Sequence, residues 1–365
     1  MTDTRSPRPN PGDQVPESVV VISAVDPYPT DAGKKIVLAG FIEYFTNRLG
    51  PNNVHYLMVG GQSRSGFPAR FHPLPKPGNL AKLGNVLFRT GTGQASLQES
   101  LLRSARVREA IHTKLDRISP TFELYDTVRM AQFAPARTTR RQICYLDDLF
   151  SERYRAMLTA AERYPDVDIQ PLGNFESHVP EVLRPLAQNR RSQRLLLRLE
   201  EQLIRRSEDR SVYRYPSVLL LNEREAEVLR SRSACQTNRV ATVPPLIRSP
   251  ISHRNYSGGT DFVFLGQLSL PHNDDGLRSF LKDVWWRVLA ARPEARLRVI
   301  GRNPRSVLTE DLARYGESVT LEGFVPDLAH LLSRSAALVN PLRFGSGVKL
   351  KIIEALGAGL PVIST

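Results

Sequence analysis

A short apolar strand that breaks at a glycine-rich loop and restarts as a helix allows few architectures, and this chain carries that unit most plainly near its carboxyl end. Ala337, Leu338 and Val339 run into Asn340-Pro341-Leu342-Arg343-Phe344-Gly345-Ser346-Gly347-Val348-Lys349, then into a helix holding Lys351, Glu354 and Ala355. Gly357-Ala358-Gly359-Leu360-Pro361 stops that helix and Val362-Ile363-Ser364 begins a new apolar strand. The same order makes an anion site. Gly345 and Gly347 let the backbone approach a ligand closely, and the amides opening the helix point outward with the positive end of its dipole behind them. Lys349 adds a mobile positive charge one turn in, and Glu354 lies further along the helix, placed to accept hydrogen bonds from a sugar diol. Phosphate at one end and hydroxyls at the other describe a nucleotide; the alternative is a glycine-bounded turn with no ligand, common in α/β proteins.

Strand and helix alternate through the rest of the chain. Val19 to Ser23 reads as a buried parallel strand, opening into a loop with Tyr28 and Gly33. A helix with Ile36, Leu38, Phe41, Ile42 and Phe45 on its apolar face follows, then a strand from Val54 to Val59. That is how a doubly wound domain begins. Gln62 to Gly93 reads as loop with some helix. Phe122 to Asp126 and Gln142 to Leu146 are two more strands, and a helical tract from Gln188 to Arg210 leads to a strand from Ser217 to Leu221. Within that tract Leu195, Leu196, Leu199, Leu203 and Ile204 oppose Arg194, Arg198, Arg205 and Arg206. The pattern predicts a helix packed on its own domain, with a membrane-surface helix as the alternative. Prolines and glycines interrupt the pattern between Ser231 and Gly259. Beyond them come strands at Phe262 to Leu265, Leu297 to Ile300 and Val319 to Leu321, with helices at Leu277 to Ala291, Val307 to Tyr315 and Asp327 to Ser333. The expected division is a disordered tail at 1–17, a first domain at 18–235, a linker at 236–260 and a second domain at 261–365.

A length of 365 residues suits two α/β domains, and 24% charged with 41% hydrophobic residues describes a globular protein. No apolar run approaches the roughly 20 residues needed to cross a bilayer, and the amino-terminal tail lacks the apolar core of a signal peptide. A cytoplasmic location is expected. Cys144 and Cys235 are the two cysteines and have no paired spacing, which suits a reducing compartment. The net charge of +13 is spread along the chain. Without zinc-finger spacing or an aromatic-interleaved basic repeat it does not indicate specific nucleic-acid binding, whereas attraction to acidic headgroups follows from it. Asp147-Asp148 and Asp274-Asp275 read as helix caps and not as metal ligands. His272 reads as a solvated loop histidine.

The segment Pro341 to Thr365 resembles the donor-binding segment of the group 1 (family 4) glycosyltransferases. Phe262-Val263-Phe264-Leu265-Gly266-Gln267-Leu268 with Pro271-His272-Asn273 resembles the opening of that family's donor domain, and Glu322-Gly323-Phe324-Val325-Pro326-Asp327-Leu328 its base-binding loop. In the first half Pro27-Tyr28-Pro29 with Gly33, Tyr125 to Ala131 and Asp147 to Tyr154 resemble internal strings of the family, less specifically. The resemblance implies the GT-B fold: α/β, two doubly wound Rossmann-like domains facing across a cleft, the second incomplete. It also implies transfer of a sugar from a nucleoside diphosphate donor to an acceptor hydroxyl on a glycan or glycolipid, with retention and without a metal or other cofactor. Gly345, Ser346, Gly347 and Lys349 would take the charge of the departing diphosphate. Phe344 belongs to the same segment. Glu354 would hold the ribose, Gly323, Phe324 and Val325 would frame the base, and Gly266, Gln267 and Asn273 would line the donor side. Gly33 would approach the phosphate from across the cleft. Tyr28, Asp126 and Arg129 would receive the acceptor, with Asp126, Arg129 and Lys349 as the catalytic candidates. A peripheral contact with the inner membrane surface is the further expectation.

Three departures from the family pattern stand out. Ser346 occupies the position paired with Glu354, where the family carries a second glutamate; Gln267 stands where many members carry an arginine, with Arg302 or Lys349 as compensating charges; and the sequence ends at Thr365, which reads as a truncated second domain. They support an alternative, a relative that binds a nucleotide sugar or a partner without turnover. An epimerase or dehydrogenase is the other enzyme class, and the absence of a dinucleotide-type glycine triplet after Ile22 counts against the dehydrogenase.

Overall fold

The computed structural model describes residues 17–30, 32–164, 167, 190–233, 239–246, 254–325 and 328–365. The expected tail up to residue 16, Cys235, the linker's Pro250, and Pro326-Asp327 of the expected base loop lie outside the described residues.

Two parallel sheets form. The first has seven strands in the order β3-β2-β1-β4-β5-β6-β7, comprising β1 (Val19–Ser23), β2 (Val54–Val59), β3 (Arg70–Leu74), β4 (Phe122–Asp126), β5 (Arg141–Asp147), β6 (Ser217–Leu220) and β7 (Val240–Thr242). The second has five in the order β10-β9-β8-β11-β12, comprising β8 (Asp261–Leu265), β9 (Arg296–Ile300), β10 (Val319–Gly323), β11 (Ala337–Asn340) and β12 (Val362–Ser364). Both orders reverse direction beside the first strand of their sheet, the doubly wound pattern. Val19 to Ile22 are fully buried because helices cover both faces of the sheet, so a central parallel strand is apolar throughout. On one face the Gly33–Leu49 helix lays Val37, Leu38, Phe41 and Ile42 against Val21, Tyr56, Leu124 and Tyr145. On the other, Ile22, Tyr125 and Val218 meet the Ala105–Ile118, Phe150–Arg163 and Arg190–Arg214 helices.

Several sequence expectations change here. β7 joins the first sheet, so that domain runs to Thr242, past the expected boundary. β3 lies within the stretch read as loop and helix; as an edge strand carrying Pro73 it lacks an apolar signature. The Arg190–Arg214 helix packs on its own domain, through Leu197, Leu203, Ile204 and Val212, while Leu195 is exposed. In the second domain, the helix expected from Leu277 starts at Pro271, with proline in the first turn, and continues through a π turn at Leu281–Trp285 that buries Leu281 and Trp285. Among the described residues no helix is long and apolar enough to cross a membrane.

β8 and β9 end at Gly266 and Gly301, whose backbones cross closely. A Cβ built on Gly301 would lie 1.9 Å from the Gly266 carbonyl oxygen. Backbone cannot yield as a side-chain tip can, so Gly301→Ala is expected to destabilise the second domain by roughly 1–3 kcal/mol. Thermal unfolding of the variant beside the parent checks this; an unchanged midpoint would refute the close approach.

Candidate functional site

Beyond β11 the glycine loop crosses the carboxyl edge of its sheet and enters the cleft between the domains. Phe344 is buried in the first domain's core cluster with Leu149 and Phe150. Val348 and Leu350 join the cluster around Val37 and Tyr145. A Cβ on Gly33 would sit 3.3 Å from Leu350 Cδ1, so the first loop of the first domain abuts the start of the Leu350–Gly357 helix. Ligands of doubly wound sheets bind at this position, outside the strand carboxyl ends.

Gly345 and Gly347 adopt φ values of 149° and 71°, conformations glycine tolerates and other residues do not. The polar groups of the loop are engaged from across the cleft. Gly347 N donates to Glu225 Oε1 at 2.9 Å, and Ser346 Oγ donates to Asp148 Oδ2 at 2.9 Å. Arg153 pairs with the same Asp148 oxygen at 2.5 Å and lies 4.7 Å above the Phe150 ring. Lys349 is the residue that caps the helix and not one a turn inside it; its ammonium folds back to donate to the Ser346 carbonyl. Burial draws the Lys349 pKa down, with Arg153 adding to the effect. Lys351 donates to the Leu265 carbonyl at 2.8 Å and to Asn273 Oδ1 at 3.2 Å, and burial with Lys349 nearby brings it down to about 7.

Opposite these cations stand two acids in different states. Burial, with Asp148 beside it, pushes Glu225 up to about 7. Burial acts on Asp148 in the same direction, but the Arg153 guanidinium and the Ser346 hydroxyl more than offset it and hold its carboxyl below the usual range. His272 is a first-turn helical residue and not a solvated loop histidine. Its ring lies edge-on to Phe344 at 6.4 Å, and burial together with Lys349, Arg153 and Lys351 lowers it to about 3, so it is neutral.

On the donor side, Asn273 is buried, donates to the Gln267 carbonyl at 3.0 Å and presses on Gly266. Gln267 Nε2 donates to Ser269 Oγ at 3.1 Å. Gly323 ends β10 and accepts from Gly301 N at 2.8 Å. Phe324 is exposed with the Arg302 guanidinium stacked at 3.9 Å, so that arginine flanks the expected base loop. Val325 packs with Leu331 and Leu332. Glu354 is half-buried, burial raises its pKa, and its carboxylate has no side-chain partner among the described residues.

The first-domain candidates form a second group at the ends of β1, β4 and β5. Asp126 is buried, accepts from Ser23 Oγ at 2.6 Å and pairs with Lys34 at 2.5 Å. Lys34 also reaches Asp147 at 3.3 Å. Arg129 Nε donates to Thr127 Oγ1 at 2.9 Å, and its guanidinium lies 5.3 Å above Phe150. Thr127 and Asp147 hold φ values of 65° and 73°, unusual for residues with a Cβ and costly for a β-branched one. Tyr28 packs edge-on to Phe67 at 5.5 Å. Neither acid pair caps a helix: Asp147 and Asp148 take Lys34 and Arg153, while Asp274 and Asp275 take Arg305 and Arg343 at 3.3 and 2.5 Å. Among the described residues, no three His, Cys, Asp or Glu side chains are grouped as metal ligands.

Lys34, Asp148, Arg153, Glu225 and Lys351 are site residues that sequence reasoning missed. Only Lys351, on the helix next to Lys349, had a local signal. The others acquire their position through contacts across the cleft or between strand ends.

Residues 259–365 match the family described as Glycosyl transferases group 1. An uncharacterized 44.6 kDa protein in the cps region of Klebsiella pneumoniae is 29% identical over 110 residues, 28% of this chain and 28% of that relative's length. Sucrose-phosphate synthase from Thermosynechococcus elongatus shares the fold with a TM-score of 0.59 at 14% identity, covering 95% of this chain and 81% of that one. WaaG, a glycosyltransferase involved in lipopolysaccharide biosynthesis, does so with a TM-score of 0.56 at 11% identity, covering 95% and 80%. HepE from Anabaena, solved in complex with UDP, has a TM-score of 0.56 at 9% identity, again covering 95% and 80%. The two-domain GT-B fold is therefore that of this chain.

Proposed function

We propose, taking residues 259–365 as the second domain of a group 1 glycosyltransferase, that this chain moves a sugar from a nucleoside diphosphate donor to an acceptor hydroxyl in the building of a cell-surface polysaccharide or glycoconjugate. The observation that carries the reading is the glycine loop in the cleft, with Lys349 and Arg153 converging on it, Lys351 beside Asn273 on the donor side, and a Glu354 carboxylate with no partner among the described residues on the helix that follows. In this reading the loop amides and those cations take the negative charge that develops on the diphosphate as the glycosidic bond breaks. Glu354 accepts from the ribose diol, Phe324 with Arg302 flanks the base, and the acceptor enters over Tyr28, Arg129 and Asp126. Fixed positive charge at the leaving group supports a reaction that needs no metal. A hexose is the proposed sugar, supported by analogy with HepE, solved in complex with UDP-glucose. Retention at the anomeric carbon and a glycan or glycolipid acceptor complete the proposal. The cps-region relative supports the polysaccharide context.

A second reading, binding without turnover, is favoured by one contact: the Glu225 carboxylate already holds the Gly347 amide. Donor hydrolysis measured beside donor binding separates the two. The site itself is tested by a thermal-shift screen of nucleoside diphosphates on the parent, Lys349→Ala and Glu354→Ala. Each variant is expected to bind about tenfold more weakly, roughly 1.4 kcal/mol. A ligand that stabilises all three proteins equally would refute the site.

A further inference from the structure

Between Glu43 and Glu99 the chain has no acidic residue, while Arg48, Arg64, Arg70, Lys76, Lys82 and Arg89 fall within that stretch. The middle of it forms a helix, Asn79–Asn85, that continues as a π turn through Val86–Thr90. The helix is turned inside out. Leu80, Leu87 and Phe88 share one face, being seven and eight residues apart, and are 87%, 58% and 74% exposed. The opposite face meets the protein mainly through polar groups: Asn85 Nδ2 donates to the Arg103 carbonyl at 2.8 Å, and Thr90 Oγ1 donates to Ser100 Oγ at 2.9 Å. Val86 is its apolar contact, against Leu97 and Leu101. A core-facing helix would show the reverse.

The charges flanking this face are mainly positive. Lys76 and Lys82 lie close enough to repel, as do Arg89, Arg103 and Arg108. Among the described residues Arg89 Nη1 is buried without a hydrogen-bond partner, and a cleft lined by Arg89, Arg206, Arg210 and Asp209 opens beside the π turn. Of the acids beside this group, buried Glu99 caps its own helix at Ser96, and Asp209 pairs with Arg232. A contiguous apolar face ringed by cations fits a surface that is apolar inside and anionic at its rim.

We propose that the helical segment from Asn79 to Thr90 docks this chain onto an anionic phospholipid bilayer, with Leu80, Leu87 and Phe88 in the acyl boundary and Lys76 and Lys82 among the headgroups. The proposal stands on this helix alone and is independent of the donor site. Flotation of the full chain with vesicles of neutral phosphatidylcholine, and with vesicles that also contain phosphatidylglycerol, tests it. The parent is expected to partition at least about tenfold better onto the anionic vesicles and to be released by salt. Leu87→Ser with Phe88→Ser removes that binding without a change in melting temperature, because both side chains are exposed, and Phe88→Trp shows a blue shift in emission with anionic vesicles. Equal flotation of parent and double variant overturns the proposal, as does indole emission from the Phe88→Trp variant that lipid leaves unchanged. A dimer that the double variant converts to monomer, with no flotation, also overturns it and assigns the face to a second copy.

Discussion

Replacing Glu225 with glutamine is expected to tighten binding of a nucleoside diphosphate-sugar about twofold at pH 7 and about tenfold at pH 8, the latter roughly 1.4 kcal/mol. Its carboxylate accepts from Gly347 N, an amide that a phosphate would use, and Asp148 stands beside it on Ser346. An incoming diphosphate must displace or approach that negative charge, and two like charges about 4 Å apart near a protein surface repel by about 4 kcal/mol at most. Glutamine keeps the shape and one acceptor oxygen while removing the charge, so the contact to Leu149 N or the one to Gly347 N survives and the other is given up. The parent should show a steeper pH dependence than the variant, because Lys351, at about 7, adds the same rise toward low pH to both. Glu225 titrates at about 7, above the usual range of a glutamate, so it is neutral below that value and charged above it. Donor affinity in the parent should therefore rise as pH falls from about 8 to about 6, a range in which a diphosphate diester gains no proton. Isothermal titration of both proteins across that range decides the matter. Parallel pH profiles would show that Glu225 does not meet the donor.

Arg232→Ala is expected to lower stability by about 3–5 kcal/mol, because it leaves a buried carboxylate without its cation. Arg232 Nη2 meets Glu208 Oε2 at 2.5 Å, Nε meets Asp209 Oδ1 at 2.6 Å, and Nη1 donates to Ser151 Oγ at 2.7 Å. Glu208 is 1% exposed, and burial pushes it up to about 6 even with Arg232 opposing the shift. A folded-state pKa raised above the unfolded value means that ionising Glu208 costs stability. That cost is absent below the unfolded value and complete above the folded one. Removing Arg232 raises the folded pKa further, so the deficit should be largest near pH 8 and shrink toward pH 5 as Glu208 takes up its proton. Thermal melts of parent and variant at both pH values measure it; a deficit independent of pH would show that lost packing and not unpaired charge is responsible. Because this network joins the Phe150–Arg163 helix to the Arg190–Arg214 and Glu223–Ser233 helices, it also fixes the platform that carries Asp148, Arg153 and Glu225 to the cleft.

Much of the fold is legible because buried parallel strands announce themselves. β1, β2 and β8 are short, largely apolar runs and β4 and β9 carry an apolar core among charged residues, a composition that a layer of helices on each face imposes. β3 is missed because an edge strand needs no second apolar face, and the Asn79–Thr90 segment because its apolar residues face outward. The acid pairs mislead for a related reason. An aspartate before a helix has a local role that sequence suggests, while Arg153, Arg305 and Arg343 offer stronger partners only once the chain has folded.

The sequence by itself determined that there are two doubly wound sheets and that a glycine loop, Lys349 and Glu354 sit where a strand of the second meets its helix, since these depend on neighbours in the chain. Tertiary structure alone decided what faces that loop. Glu225 and Asp148 reach Gly347 and Ser346 across 122 and 198 residues of sequence, and no local pattern encodes a pairing made by closing one domain on another.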